Sequence, residues 1–111
     1  MTVRLATDVR VRALLRRVDA AGGSAMILAR GDAIAGAVLV VVLGGASATV
    51  LERSLGPDGS VTLRRTGPDD SSEQAVTAYW QRRRASDPDL WVVELSVADA
   101  ERFAAETIGI N

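Results

Sequence analysis

Three carboxylates near the end of the chain have the residue types and spacing of a cation site. Asp87, Asp89 and Glu94 fall within eight residues of sequence. Divalent cations such as Mg²⁺ prefer several carboxylate oxygens, so these side chains, joined by Asp32 or Glu52 from elsewhere, would suit a metal-dependent hydrolase. This is the least favoured of three functional hypotheses, because a turn explains the two aspartates more simply.

The structural interpretation of the two aspartates places them in that turn. Asp87 precedes a proline, which favours a turn or extended backbone, and we expect it to end the preceding helix. Asp89 is then expected to pair with Arg82 or Arg84 at the surface, where an ion pair contributes little to stability. Neither aspartate is assigned a catalytic role.

Glu94 is the more informative acid because it interrupts an apolar, strand-like run. A carboxylate flanked by Val93 and Leu95 must face water or meet a cation, since an isolated buried charge is strongly destabilising. Arg64 on an edge-like strand is a suitable partner. The alternative for a buried, unpaired carboxylate is a raised pKa and a role as general acid, and the sequence favours the ion pair or plain exposure.

Arginines beside aromatic residues suggest a second kind of site. Arg82 to Arg84 follow Tyr79 and Trp80, and guanidinium groups next to aromatic rings are typical of nucleic-acid or phosphate binding. Such a site would use Arg82 and Arg84 together with the pair Arg64-Arg65. Successive helical residues are about 100° apart, so adjacent arginines spread around a helix instead of lining one face. With a net charge of -1, nucleic acid is a disfavoured partner.

The composition removes several classes of mechanism. The 111 residues contain no cysteine and no histidine, and all 13 basic residues are arginine. Cysteine or histidine nucleophiles, zinc sites of the Cys/His type, Schiff bases and the lysine-dependent phosphate loop are therefore excluded. We expect no cofactor. The lack of cysteine and of a signal-like N-terminus predicts a cytoplasmic location.

An uncharged run of 19 residues, from Ala33 to Leu51, is long enough to suggest a transmembrane helix. The Gly44-Gly45 pair inside it and the valine-rich half before that pair instead favour two strands and a turn. No membrane association is expected.

The apolar spacing predicts one α+β domain spanning residues 1–111, with about five strands in a mainly antiparallel sheet and two to three helices. Turn residues divide the chain into the order α-β-β-β-β-α-β-α, with a meander of four strands. The strand over 24–30 is predicted to be buried, and the one over 36–43 to be central. The remaining predicted elements are strands over 48–55, 61–66 and 90–97, and helices from 7 or 8 to about 21, from 71 or 72 to before Pro88, and over 98–107.

The first predicted helix has Thr7 or Asp8 as its cap and places Arg10 away from its apolar face. That face consists of the residues at three-and-four spacing, Val11, Leu14, Leu15 and Val18.

Three stretches together resemble a known family. They are residues 12–22 (RALLRR to AAG), residues 30–40 (RGD to GAVLV) and residues 79–94, which end in DPDLWVVE. In order and spacing they are similar to a bacterial family of short domains of unknown function, uncharacterised family 1491. The resemblance implies a small soluble bacterial domain and carries no catalytic role. The chain departs from the family pattern in having Ala85-Ser86 before the DPD segment, where a bulky residue is common, and in lacking lysine on the second strand.

The hypothesis we favour from the sequence is a non-catalytic protein-interaction module that self-associates. Strands two and three are apolar on both faces, so three helices are expected to leave a surplus sheet face for a homodimer or another protein. The alternatives are a nucleic-acid or phosphoanion binder that uses its arginines and an Asp/Glu-based metal-dependent hydrolase. The residues expected to contact a partner or ligand are Arg64, Arg82, Arg84, Asp87, Asp89, Trp91 and Glu94.

Overall fold

Apolar runs separated by turn residues build a five-stranded sheet with helices on both faces. The computed structural model of the chain describes residues 5–109. The predicted order of elements is confirmed. In that order the elements are α1 (Thr7–Ala20), β1 (Ser24–Ala29), β2 (Val38–Gly44), β3 (Ser47–Leu55), β4 (Val61–Thr66), α2 (Glu73–Ser86), β5 (Trp91–Ser96) and α3 (Ala100–Thr107).

The sheet has the strand order β1-β5-β2-β3-β4. The predicted meander of four strands is therefore wrong, because β5 lies between β1 and β2. It pairs antiparallel with β1 and parallel with β2. Val92 and Val93 are both fully buried, so β5 carries apolar side chains toward both faces of the sheet, as an inner strand does. Only β2, β3 and β4 form a meander.

The long uncharged run forms the loop before β2, then β2 itself and the first half of β3. Val41 of β2 is directly opposite Val50 of β3. Gly45 in the connecting turn has a φ of +67°, which glycine adopts without strain. Within residues 5–109, no helix is long and apolar enough to cross a membrane.

Helices α1 and α3 cover one face of the sheet. The buried stripe of α1 contains Val11, Leu14 and Val18, as predicted. Arg10 was predicted to lie off this stripe, and that prediction is wrong, because Arg10 is only 6% exposed. It lies four residues before Leu14, one helical turn away on the same side.

The start of α1 is fixed by the loop before β2 and not by a side-chain cap. The N-cap is Ala6, whose side chain cannot accept a hydrogen bond, and Thr7 and Asp8 are the first helical residues. The backbone amides of Thr7 and Asp8 donate to the carbonyl oxygens of Ile34 and Ala33, at 3.1 and 3.0 Å. The predicted caps Thr7 and Asp8 are therefore wrong, because backbone carbonyls already satisfy these amides.

Helix α2 covers the opposite face, mainly across β3. Ser72, one of the two residues predicted to begin this helix, caps it by accepting a 3.2 Å hydrogen bond from the backbone amide of Ala75. Val76 is buried in the second core, and Tyr79 and Trp80 pack against its edge. The helix ends before Pro88, as predicted.

Strand β1 is at the edge of the sheet, so the prediction of a buried strand is wrong. Met26 is 59% exposed. By contrast, β2 and β3 are covered on both faces, with Val40 and Leu51 buried in the core on one face and Leu39 and Val50 in the core on the other. The surplus apolar surface predicted for β2 and β3 is instead found at β1, because β5 takes the inner position beside β2.

Candidate functional site

Two loops that carry the motif stretches meet at one end of the sheet. They are the loop between β1 and β2 (residues 30–37) and the loop between α2 and β5 (residues 87–90). The amide of Asp32 donates to the carbonyl oxygen of Asp89 at 3.0 Å. The indole nitrogen of Trp91 donates to the carbonyl oxygen of Asp32 at 2.8 Å. The backbone amide of Trp91 donates to the carbonyl oxygen of Ala37, also at 2.8 Å. We call this contact the loop junction.

Two glycines allow the loop junction to form. A β-carbon at Gly31 or at Gly36 would overlap the carbonyl oxygen of Asp89. The Asp32 carboxylate stabilises the first loop by accepting from the amides of Ile34 and Ala35, at 3.1 and 2.8 Å. The RGD, GAVLV and DPDLW segments that resemble the family are therefore in contact. Their contact holds the two loops together by backbone hydrogen bonds and close packing.

The predicted carboxylates do not form a cation site. Asp87 accepts a 3.1 Å hydrogen bond from the amide of Asp89, which is the predicted turn. Across the part of the chain that the structure describes, no group of three acidic side chains is placed to hold a metal ion. The hydrolase hypothesis therefore has no site among these residues.

Glu94 lies on the face of the sheet that α2 covers, opposite Met26 of β1 and Val41 of β2. It is half-buried and lines a shallow groove together with Glu73 and Trp80. The predicted partner Arg64 is on β4, three strands away, which is about 14 Å at the usual strand spacing. The proposed ion pair between the two is therefore wrong.

Arg84 and Trp91 have structural roles at the loop junction. Arg84 donates to the carbonyl oxygens of Pro88 and Arg30, at 2.7 Å each. The guanidinium group thus joins the two loops, and the expected pairing of Arg84 with Asp89 is replaced by these backbone contacts. Trp91 is 2% exposed, and the Arg30 guanidinium lies 5.9 Å from the centre of its ring.

Arg83, which the sequence did not single out as a site residue, forms the best-defined ion pair. Its two terminal nitrogens donate to the two carboxylate oxygens of Glu52 at 2.9 and 3.0 Å, and one also donates to the Tyr79 hydroxyl at 2.7 Å. The hydrogen bond from Arg83 lowers the pKa of Glu52, although partial burial opposes the change. The same bond raises the pKa of Arg83. Arg83 therefore binds α2 to β3.

The other predicted arginines do not line one surface. Arg64 of β4 lies opposite Glu52 of β3, and its neighbour Arg65 points to the other face of the sheet. Arg82 is exposed on α2. Because Arg84 already donates to two carbonyl oxygens, the geometry gives the phosphoanion hypothesis no common binding surface.

Three residues outside the predicted set have unusual surroundings for their residue types. Met26 is exposed on edge strand β1, while Arg10 and Arg53 line a cavity of about 460 Å³ at the start of α1. The spacing of Arg10 to Leu14 was a signal for its burial. No local pattern identified β1 as an edge strand, because that depends on the position of β5.

Comparison with known proteins identifies relatives without an assigned activity. A family model described as "Protein of unknown function (DUF1491)" matches residues 5–105. No curated protein matches the chain at a significant level.

Three solved structures are similar to the chain over most of its length. The crystal structure of a DUF1491 family protein from Caulobacter crescentus CB15 is 34% identical, has a TM-score of 0.81, and covers 90% of this chain and 94% of its own. An NMR structure of a DUF1491 family protein from the same organism is also 34% identical, with a TM-score of 0.78 and coverage of 92% and 94%. The solution structure of protein Atu0922 from A. tumefaciens is 28% identical, with a TM-score of 0.69 and coverage of 87% and 89%.

Proposed function

Because this chain belongs to the DUF1491 family, whose description assigns no function, we propose its role from its own geometry: a non-catalytic interaction module that self-associates through β1. The observation that carries the proposal is the difference between the two edges of the sheet. Strand β1 (Ser24–Ala29) has no charged residue, whereas β4 at the other edge carries Arg64 and Arg65. A cytoplasmic location remains a prediction of the sequence.

An uncharged edge strand presents unpaired backbone groups to any second strand. Soluble proteins usually protect such edges with charged residues, prolines or bulges. Strand β1 pairs regularly with β5 from Ser24 to Ile27 and shifts register only between Ile27 and Ala29. The regular half, which includes exposed Met26, is therefore the half available for pairing.

A second copy of the chain is the occupant that this edge suits best. Two antiparallel strands related by a twofold axis are complementary by symmetry, and the absence of charge on β1 means that two copies do not repel one another. Pairing would also cover Met26, which α2 leaves exposed because that helix lies across β3. The sheet would then continue through both copies.

The experiment is light scattering coupled to size-exclusion chromatography over a range of protein concentrations. Wild-type protein is expected at twice the monomer mass of 11.7 kDa. Met26→Lys places a charge on the exposed side chain of the edge and is expected to give a monomer. Thr62→Lys is the matched control, since Thr62 is exposed on the other edge strand, and it is expected to leave the dimer intact.

A wild-type monomer at millimolar concentration would overturn the proposal. So would a dimer that Met26→Lys leaves unchanged, because such a dimer would use another surface. Circular dichroism of both variants shows whether loss of the dimer occurs in folded protein.

A further inference from the structure

The two faces of the sheet are covered unequally. Helices α1 and α3 both pack on one face, whereas within residues 5–109 only α2 packs on the other, mainly across β3. Strand β1 is three positions away from β3, about 14 Å at the usual strand spacing. Because packed helices lie about 8 to 10 Å apart, the part of this face over β5 and β1 has space for one more helix.

This uncovered area has an apolar floor and a wall formed by α2. We call it the open groove and define it by Leu28 of β1, Leu43 of β2, Glu94 of β5, and Thr77 and Trp80 of α2. Its three apolar side chains are only partly buried and pack against the edge of the second core. An exposed apolar surface with polar groups at its rim is typical of an interaction site.

The charge in the open groove is negative. Glu94 on the floor and Glu73 on the wall line a recess of about 20 Å³ together with Trp80. In the part of the chain that the structure describes, neither carboxylate forms an ion pair. Arg83 and Arg84 of the same helix bind β3 and the loop junction instead. A half-buried carboxylate in apolar surroundings is stabilised by a cation, so the groove is complementary to a basic partner.

We propose that the open groove binds an amphipathic helix of a partner protein. The apolar residues of that helix contact Leu28, Leu43 and Trp80, as in other complexes of a helix in a groove. One of its lysines enters the recess between Glu73 and Glu94. A recess of this volume holds one water-sized group, which suits a compact ammonium group better than a planar guanidinium. The Trp80 ring adds a cation–π attraction.

This site is separate from the proposed self-association through β1. Strand pairing uses the backbone groups at the edge, in the plane of the sheet, whereas the helix would lie on the face. Either interaction can therefore exist without the other.

The test is titration of ¹⁵N-labelled protein with three synthetic peptides of about 14 residues, or four helical turns. The first has leucines at three-and-four spacing, alanines, and lysines beside the leucine stripe. The second has glutamate in place of each lysine, and the third has the composition of the first in an order without helical periodicity. The first is expected to shift the amide resonances of Thr77, Trp80 and Glu94 saturably. The other two are expected not to, because they lack the charge or the apolar stripe.

Variants locate the binding at the carboxylate. Glu94→Gln keeps the shape of the side chain and removes its charge, and is expected to weaken binding of the lysine peptide about tenfold, the effect of losing a hydrogen bond to a charged group. Glu101→Gln is the matched control, because Glu101 is an exposed acid on α3, across the sheet from the groove. It is expected to bind normally. The spectrum of each variant before peptide is added shows that the variant is folded.

Several results would overturn the proposal. Without a saturable shift from the lysine peptide, or with equal binding of the glutamate peptide, the groove does not select a basic partner. Equal binding of the peptide without periodicity would show that the partner is not a helix. Binding that Glu94→Gln leaves unchanged would place the peptide elsewhere. Shifts of the Thr77 and Trp80 resonances with protein concentration alone would make a second copy of the chain the occupant.

Discussion

The β-carbon position of Gly31 is directed at the carbonyl oxygen of Asp89, so the loops on either side can meet only where residue 31 has no side chain. This contact lies beside the hydrogen bond from the amide of Asp32 to the same oxygen. It explains why a glycine and an aspartate turn that are far apart in sequence both belong to the stretches that resemble the family. The glycine and the aspartate turn are linked by the close packing of their backbones.

Gly31→Ala is expected to destabilise the fold by about 2 kcal/mol or more, because the added methyl group must displace the backbone of the second loop. Gly44→Ala is the matched control. A β-carbon at Gly44 would meet only the Ser47 hydroxyl, at 3.9 Å, an ordinary contact. Urea unfolding of the two variants measures the difference. Equal stability of both variants would show that the loop junction tolerates the methyl group.

Trp91→Phe is expected to destabilise the fold by about 1 to 3 kcal/mol, because it leaves the Asp32 carbonyl oxygen without its indole donor inside the structure. Trp80→Phe is the comparison, since Trp80 is only half-buried at the edge of the second core. Unfolding followed by circular dichroism avoids the change in fluorescence that both substitutions cause. The role assigned to the indole nitrogen would be wrong if Trp80→Phe were the more damaging change.

The Glu52–Arg83 pair is expected to contribute about 1 to 2 kcal/mol to stability at neutral pH, since the pair is bidentate but remains partly exposed to solvent. A double-mutant cycle with Glu52→Gln and Arg83→Met measures this coupling. The exposed pair of Asp8 and Arg12, at 3.4 Å, is the comparison and is expected to show much weaker coupling.

The same pair predicts a pH dependence of defined sign. The folded state lowers the pKa of Glu52 below its ordinary value of 4.5, chiefly through the hydrogen bond from Arg83. The unfolded chain therefore takes up a proton first as the pH falls. The quantity to follow is the difference in free energy of unfolding between wild-type protein and Glu52→Gln. This difference is expected to be constant around neutral pH and to decrease once the pH falls below 4.5. Urea unfolding across this range tests it, and an advantage that grows on acidification would contradict the assigned cause.

Much of the fold follows from local signals in the sequence. The pair Gly44-Gly45 marks the hairpin, Ser72 the start of α2 and Pro88 its end, because each acts on the neighbouring backbone. The position of β5 does not follow, since it depends on which long-range pairing buries the most surface. Strand β1, predicted to be buried, is an edge strand in this order, and the exposed apolar surface lies there instead of on β2 and β3.

The candidate site was predictable only in part, and for a similar reason. The turn at Asp87 was identified because its hydrogen bond is local. The pair of Arg83 and Glu52 can be recognised only in the tertiary fold, because the two residues are 31 positions apart in the sequence. For Arg10 the two sequence signals disagree, since its charge favours exposure and its spacing to Leu14 favours burial, and the structure follows the spacing.

Arg84→Lys is expected to cost about 1 kcal/mol of stability, because one ammonium group does not reproduce the two separate donors that reach Pro88 and Arg30. Arg82→Lys in the same helix keeps the same charge on an exposed side chain and is expected to be neutral. Thermal unfolding at low and high salt measures both. If the two arginines served a phosphate surface instead, both substitutions would leave stability unchanged and lower the affinity for phosphate equally. Unequal stability with equal charge therefore assigns Arg84 to the loop junction, where the shape of the guanidinium group matters more than its charge.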